Sequence, residues 1–418
     1  MTAPTTEKQS HHNNSNPRHR ATLGRWLGAL LFPESRTGRI LTPLLIVSFA
    51  TLYVEIVLIR WIGTEVRLFA YFQNLALIAC FLGFGLGCFR AEQRKSLTLT
   101  LTALAALPLL VAAPGGTRTI LSMSYSSLLS LSPDAVLWGI PHQLAPGLLA
   151  VLTVMSVIIV AVFLLLLVIA LIPLGQWVGF YLNRAPNIVV AYTVNLAGSV
   201  AGLWVPVLLA AFWLPPTVWF ALAFLVVMVT QLSVRPFVIG GTLLAIAAIL
   251  LLGNTRPEIL KTYWSPYQKL EVFDQGASQY SIFVNNTGYM SILNQTPAAL
   301  EKYPQLAEWA SQSHYDTPFQ FANRVERVLI VGAGAGNDAA GAIRNSAKSI
   351  DAVEIDPAIY ALGEQLHPRT ALSITESNQD HHRRAGVSAP EQPVVRCDRV
   401  RPIRLAHPVH RPHQYARR

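Results

Sequence analysis

Two motifs hold residue types at a spacing that could bind a nucleoside. Val328–Ile343 reads VLIVGAGAGNDAAGAI, and Asp351–Pro357 reads DAVEIDP. An apolar strand that runs into Gly332, Gly334 and Gly336 and then into a helix lets a ligand approach backbone amides at a helix N-terminus. Glu354 follows Gly336 by 18 residues, at the end of the next strand. A carboxylate there can accept both hydroxyls of a ribose. The spacing is G-x-G-x-G rather than G-x-G-x-x-G. That suits an adenosylmethionine-type nucleoside better than a dinucleotide, because no pyrophosphate needs cradling. A tight strand-to-helix turn without a ligand would use the same glycines. Asp338 falls in the first helical turn, where capping competes with any role in binding.

The elements that must hold these residues follow from the pattern around them. Arg327–Val331 and Ser349–Ile355 read as strands, and Asn337–Arg344 and Pro357–Gln365 as helices. Strand, helix, strand, helix at this spacing opens a parallel, doubly wound sheet. Upstream, Gln268–Phe273, Tyr280–Asn285 and Tyr289–Leu293 read as short strands, with Asn286-Thr287-Gly288 as a hairpin turn and Pro297–Ala310 as a helix.

The chain before residue 254 is different matter. Of 418 residues 52% are hydrophobic and 13% charged, against about 25% charged in soluble domains. Residues 40–253 hold 12 of the 54 charged residues, and the stretches Ala135–Asn183 and Ala185–Val234 hold none. Apolar segments at about 40–61, 69–89, 97–113, 146–173, 188–212, 217–232 and 236–253 predict about seven membrane helices. An ordinary soluble enzyme is excluded. Glu55 is the one acidic residue inside the first segment, with Arg60 near its end. An intramembrane carboxylate is a candidate functional group, although pairing with Arg60 or protonation explains it equally simply. Gly83, Gly85, Gly87, Gly198 and Gly202 suit close helix packing, and Asn195 a bond to a neighbouring helix.

Charge sets the expected orientation. Residues 1–39 carry +4 of the net +10, and basic residues recur at Arg90, Arg94, Lys95, Arg184 and Arg235. The positive-inside rule places these in the cytoplasm, which predicts a multi-pass protein of the cell inner (plasma) membrane with a cytoplasmic N-terminus. Seven crossings then leave residue 254 outside, in tension with a cytoplasmic nucleoside. The remaining charge is spread along the chain, so no basic face for nucleic acid is expected. The three cysteines (Cys80, Cys88, Cys397) have neither disulfide-framework nor zinc spacing.

Thr262–Phe273 (TYWSPYQKLEVF), the hairpin after it, VLIVGAGAGND and AVEIDP together resemble the spermidine synthase (polyamine aminopropyltransferase) family. The closer resemblance is to its membrane-fused members, in which a multi-helix apolar domain comes first. It covers about 262–368. It implies a multi-pass α-helical membrane domain followed by an α/β Rossmann-like (S-adenosylmethionine-type) domain, incomplete in this chain. The organisation expected is a basic, disordered cytoplasmic tail (1–39), a polytopic domain (40–253), a small β-rich part (254–325), the start of the nucleoside-binding domain (326–368) and a basic tail (369–418). The donor substrate implied is decarboxylated S-adenosylmethionine or S-adenosylmethionine, with no metal. Gln268 would touch the donor nucleoside, Glu354 its ribose, and Gly332, Gly334 and Gly336 would line its pocket, with Asp338 nearby. Tyr303 aligns with the Tyr of a Tyr-His pair that binds the polyamine. The expected partners are the lipid bilayer and a small amine acceptor, no nucleic acid, with a homo-oligomer left open.

The departures lie on the acceptor side. The family's GGGDG loop has an Asp where this chain has Ala335, and Pro304 replaces the His of the pair. The catalytic Asp, on the loop after the fourth strand, has no equivalent. Past His367-Pro368 the sequence holds ten Arg, five His, five Pro and no Lys, as an out-of-frame reading of GC-rich coding sequence would. The chain is therefore expected to be an aminopropyltransferase-like membrane protein that lacks transfer activity. A transporter or sensor with a nucleoside-binding domain, and a small-molecule methyltransferase, are the competing readings.

Overall fold

The computed structural model describes residues 38–93, 96–112, 146–230, 235–253, 258–311, 313–322, 324–368 and 394–395. The expected tail at 1–37, Cys397 and most of 369–418 lie outside the described residues.

The described chain is mostly helical. Helices α1 (Gly38–Glu65), α2 (Arg67–Tyr71), α3 (Gln73–Phe89), α4 (Thr98–Ala112), α5 (Pro146–Arg184), α6 (Ile188–Ala211), α7 (Pro216–Val229) and α8 (Arg235–Leu252) precede the sheets. Three stretches are long and apolar enough to cross a membrane: α1, Ala150–Arg184 of α5, and α6. Shorter apolar helical stretches are Gln73–Phe89, Thr98–Val111, Pro216–Val229 and Phe237–Leu250. Helix α5 continues 11 residues past the expected end at 173, because Pro173 is carried inside it. Prolines are tolerated there when neighbouring helices and side chains satisfy the freed backbone groups.

Glycine decides how the helices meet. A methyl group added at Gly83, Gly87 or Gly175 would land on the carbonyl of Val168, Ile172 or Phe84, and one at Gly202 on that of Phe49. Helices α3 and α5 thus touch backbone to backbone, as do α1 and α6. The Ser48 hydroxyl donates to Asn195 Oδ1 at 2.8 Å, the inter-helix bond expected of Asn195. Outward-facing Ile78, Phe81, Leu82, Val151, Val154 and Ile158 are exposed. Water would penalise such a surface, whereas lipid does not.

The two ends of this bundle differ. Leu44 and Val47, in the first turns of α1, pack with Val178 of α5 and Ala191 of α6. At the same end Arg184 forms a two-pronged pair with Glu92, both contacts at 3.0 Å. The opposite end of α1 touches the sheets. Its 28 residues span about 42 Å at 1.5 Å per residue, so the Arg184–Glu92 pair and the sheets lie at opposite ends of one membrane-length helix.

The first sheet is an antiparallel meander, β1 (Lys261–Trp264), β2 (Lys269–Gly276), β3 (Gln279–Val284) and β4 (Thr287–Ile292). Strand β1 was not expected from the local pattern. The β3–β4 turn is Asn285-Asn286, one residue earlier than expected, with φ of 48° and 63°. A two-residue hairpin turn needs two left-handed residues, and asparagine is among the few side chains that tolerate it. The helix expected over 297–310 is two, α9 (Pro297–Lys302) and α10 (Pro304–Ser311). Pro304 disfavours helical backbone at Tyr303, which sits at φ −126°, ψ 88°.

After the short helix α11 (Thr317–Gln320), β5 (Arg327–Val331), α12 (Asn337–Arg344), β6 (Ser349–Val353) and α13 (Pro357–Leu366) follow in the expected order. Strands β5 and β6 pair in parallel. Val394 and Val395 form β7, parallel on β6, which departs from the expectation of no strand past residue 368. Ala339, Ala342 and Ile350 form the core on one face of this sheet, while Leu329 and Val331 on the other face are 67% and 78% exposed.

Two outcomes follow from the bundle. Reporter fusions at residues 35 and 260 should signal from opposite sides of the membrane, since α1 begins at Gly38 and the sheets stand at its far end; signals from the same side would refute the arrangement. Gly87→Leu should cost roughly 1–3 kcal/mol, as overpacking does, read as a lowered melting temperature in detergent.

Candidate nucleoside site

Strand β5 ends in a turn that folds back on β6. The amides of Gly332 and Ala333 both donate to the Val353 carbonyl, at 2.8 and 3.0 Å. Gly332, Gly334 and Gly336 have φ of 76°, 56° and 101°, the left-handed region that costs glycine nothing and other residues much. A Cβ on Gly334 would also press on the Met290 methyl at 3.2 Å. The glycine spacing therefore has a backbone cause, whatever ligand it serves.

Glu354 is brought to this turn. One carboxylate oxygen accepts the Gly334 amide at 2.9 Å, and the other accepts the Asp356 amide at 2.9 Å. The side chain is 7% exposed. Two residues on, Asp356 is 1% exposed. Its Oδ1 caps α13 by accepting the Ala358 amide at 3.0 Å. Its Oδ2 accepts the Ser265 hydroxyl at 2.7 Å and the Gln268 side-chain amide at 3.1 Å. Thus the structure joins Gln268, Glu354 and Gly334 in one network through Asp356. Asp356 and Ser265 complete it and were not singled out from the sequence. The aspartate immediately before Pro357 was the available signal, because Pro favours the first helical position and Asp the cap before it.

Ala335 is 3% exposed and packs with Leu270, Val272, Ile282, Ile292 and Ile359. This methyl seals the glycine turn onto the meander. Beside it, Asn337 accepts the Leu293 amide at 3.1 Å and donates to the Ser291 carbonyl and to the Tyr315 hydroxyl. Asp338 is half-buried in the first turn of α12, and the cap residue is Gly336. It is therefore not the side-chain cap. Burial raises its carboxyl above the usual aspartate range, with nearby His314 opposing the shift.

Tyr303 ends α9, where the Lys302 ammonium lies 5.3 Å from its ring centre. A cleft of about 490 Å³, lined in part by Gln279, Asn294, Glu308, Ser313, His314 and Tyr315, opens beside Asn337's partner Tyr315, and Tyr303 does not line it. In the membrane half Glu55 is 3% exposed. Among the described residues it makes no ion pair with Arg60, whose Nη2 donates instead to the Ser265 carbonyl at 2.8 Å.

No family model matches the chain, and no curated protein or solved structure matches it.

Asp338 gives a prediction with a fixed sign. A carboxyl raised in the folded state favours folding most below its ordinary pKa of about 3.9, and that contribution is lost as pH rises through the raised value. Asp338→Asn should therefore gain stability relative to the parent as pH is raised from 4 to 7. Parallel melting curves over that range would refute the assignment.

Proposed function

We propose that the chain is a membrane-anchored adenosyl-nucleoside-binding protein on the aminopropyltransferase-like plan, with a Rossmann-like donor half and no transfer chemistry. The observation that carries the binding half is the Glu354 carboxylate on the Gly334 amide, with Gln268 tied to the same network through Asp356. In the proposed complex the ribose hydroxyls take over Glu354 oxygen lone pairs, and the nucleoside lies along the left-handed glycines. The donor would be decarboxylated S-adenosylmethionine or S-adenosylmethionine.

Transfer makes a further demand. A neutral amine must attack the donor carbon, yet an alkyl amine with a pKa near 10.4 is protonated at pH 7. A positioned carboxylate that removes the proton contributes on the order of 10²–10⁴ in rate. Where the resembled family places an Asp, this chain has the buried methyl of Ala335. A charged group at that point would have to enter an apolar core, which costs several kcal/mol.

A second reading, a sensor or transport module facing outward, is favoured by one observation: the sheets stand at the end of α1 opposite the Arg184–Glu92 end. With the basic end and the N-terminus in the cytoplasm of an inner-membrane protein, the sheets lie outside. Nucleoside binding is compatible with either orientation. Transfer from a cytoplasmic donor needs the sheets inside.

Calorimetry on the detergent-purified chain with 5′-methylthioadenosine tests the binding. Saturable binding is expected, and Glu354→Ala should weaken it by roughly 1.5–3 kcal/mol, the value of a charged hydrogen bond. Equal binding by the parent and the variant would show the pocket to be misassigned. Decarboxylated S-adenosylmethionine with putrescine should yield no spermidine or methylthioadenosine above a protein-free control; product would overturn the transfer-silent reading.

A further inference from the structure

We infer that Arg60, inside a membrane-length helix, is a positioning residue for the nucleoside site. The inference rests on the nucleoside reading above for its ligand, and on the following contacts for its geometry.

Arg60 lies five residues before the end of α1, and its Nη2 donates to the Ser265 carbonyl at 2.8 Å. Ser265 begins the turn between β1 and β2. Its hydroxyl oxygen accepts the amides of Tyr267 and Gln268 at 3.2 and 3.1 Å. The same hydroxyl donates to Asp356 at 2.7 Å. Asp356 donates its own amide to Glu354, which in turn accepts the Gly334 amide. Five groups thus run without a gap from a bilayer helix to the glycine turn. Ser265 is the pivot, because its carbonyl belongs to the helix contact and its hydroxyl to the site.

Arg60 is a costly way to hold one carbonyl. A guanidinium out of water is expensive unless paired, and no carboxylate pairs with it among the described residues. Its Nε is buried with no hydrogen-bond partner. Partial compensation comes from the Trp219 ring, 4.9 Å away, in a cation–π contact. Trp219 in turn meets Trp264 of β1 edge-on at 5.5 Å. The stack and the hydrogen bond fix the guanidinium from two directions and aim it at the turn that carries Gln268. An apolar side chain would fill this volume at lower cost, so the charge is accounted for by the carbonyl it holds.

The test separates positioning from general loosening of the junction. Arg60→Met removes the donor and keeps the stem. Asn286→Ala is the control, because Asn286 caps the last carbonyls of α1 without touching Ser265. Hydrogen exchange at the Tyr267 and Gln268 amides should accelerate at least tenfold in Arg60→Met, return most of the way in Arg60→Lys, and stay near parental in Asn286→Ala. Affinity for 5′-methylthioadenosine should fall about tenfold in Arg60→Met and recover in Arg60→Lys. Parental exchange and affinity in Arg60→Met would overturn the inference, as would an equal effect of Asn286→Ala. If the parent itself binds no nucleoside, the binding reading falls, and the exchange data alone decide whether Arg60 positions the turn.

Discussion

The position of the sheets depends on a buried ammonium. Lys269 is 4% exposed and lies 2.9 Å from Glu65 at the end of α1 and 2.9 Å from Glu271 on its own strand. Asn286, in the β3–β4 turn, donates its side-chain amide to the carbonyls of Thr64 and Glu65, which would otherwise be orphaned where the helix ends. Removing one partner of such a buried pair typically costs about 3–5 kcal/mol, because the other charge is left uncompensated. The net gain over an apolar contact is far smaller. What the arrangement gives is direction: hydrophobic contact alone would let the meander slide on the helix end, and charges with fixed partners do not.

A fixed meander in turn fixes the glycine turn. Ala335 packs on Leu270, Val272 and Ile282, so the turn is held from the side of the first sheet as well as by β6. On the proposed reading, a nucleoside would add to this network rather than displace part of it. Glu354 already spends both oxygens on backbone amides, and each oxygen has a second lone pair. A diol can use those lone pairs without displacing either amide. Preorganisation of this kind lowers the ordering cost of binding.

The sequence made local structure legible and left the junction dark. Apolar runs marked the apolar helices but not the short α2, because composition alone marks a segment that lipid will accept. Glycines 332, 334 and 336 with Glu354 were readable because their roles lie within some twenty residues of one another. The helix break at Tyr303 was readable in principle from Pro304, and the Asn285-Asn286 turn from its residue types. The contacts that hold the molecule together were not. Arg60 and Ser265 are 205 residues apart, and Lys269 and Glu65 are 204 apart. No periodicity or spacing relates such pairs, and a charged residue near a helix end reads equally well as an interfacial anchor. Glu55 and Arg60 illustrate the error this invites. Adjacency left an ion pair open beside protonation and a functional role, and the fold directs Arg60 to the Ser265 carbonyl.

On the proposed reading, the same geometry would let donor and acceptor features part company in one chain. The features that the proposal assigns to the donor belong to the backbone: left-handed glycines, an amide-bound carboxylate, a capped helix. They are built by the fold and survive as long as β5, β6 and the meander stay together. An acceptor site of the kind proposed for the resembled family needs an exposed charge at the turn, and here that position is a methyl buried with Leu270, Val272 and Ile282. Burying Ala335 adds to the packing between the two sheets, and on the proposed reading it takes the position where the resembled family carries its carboxylate. Packing at this contact and a carboxylate of the kind the resembled family carries are therefore competing uses of a single position, and in this chain packing holds it.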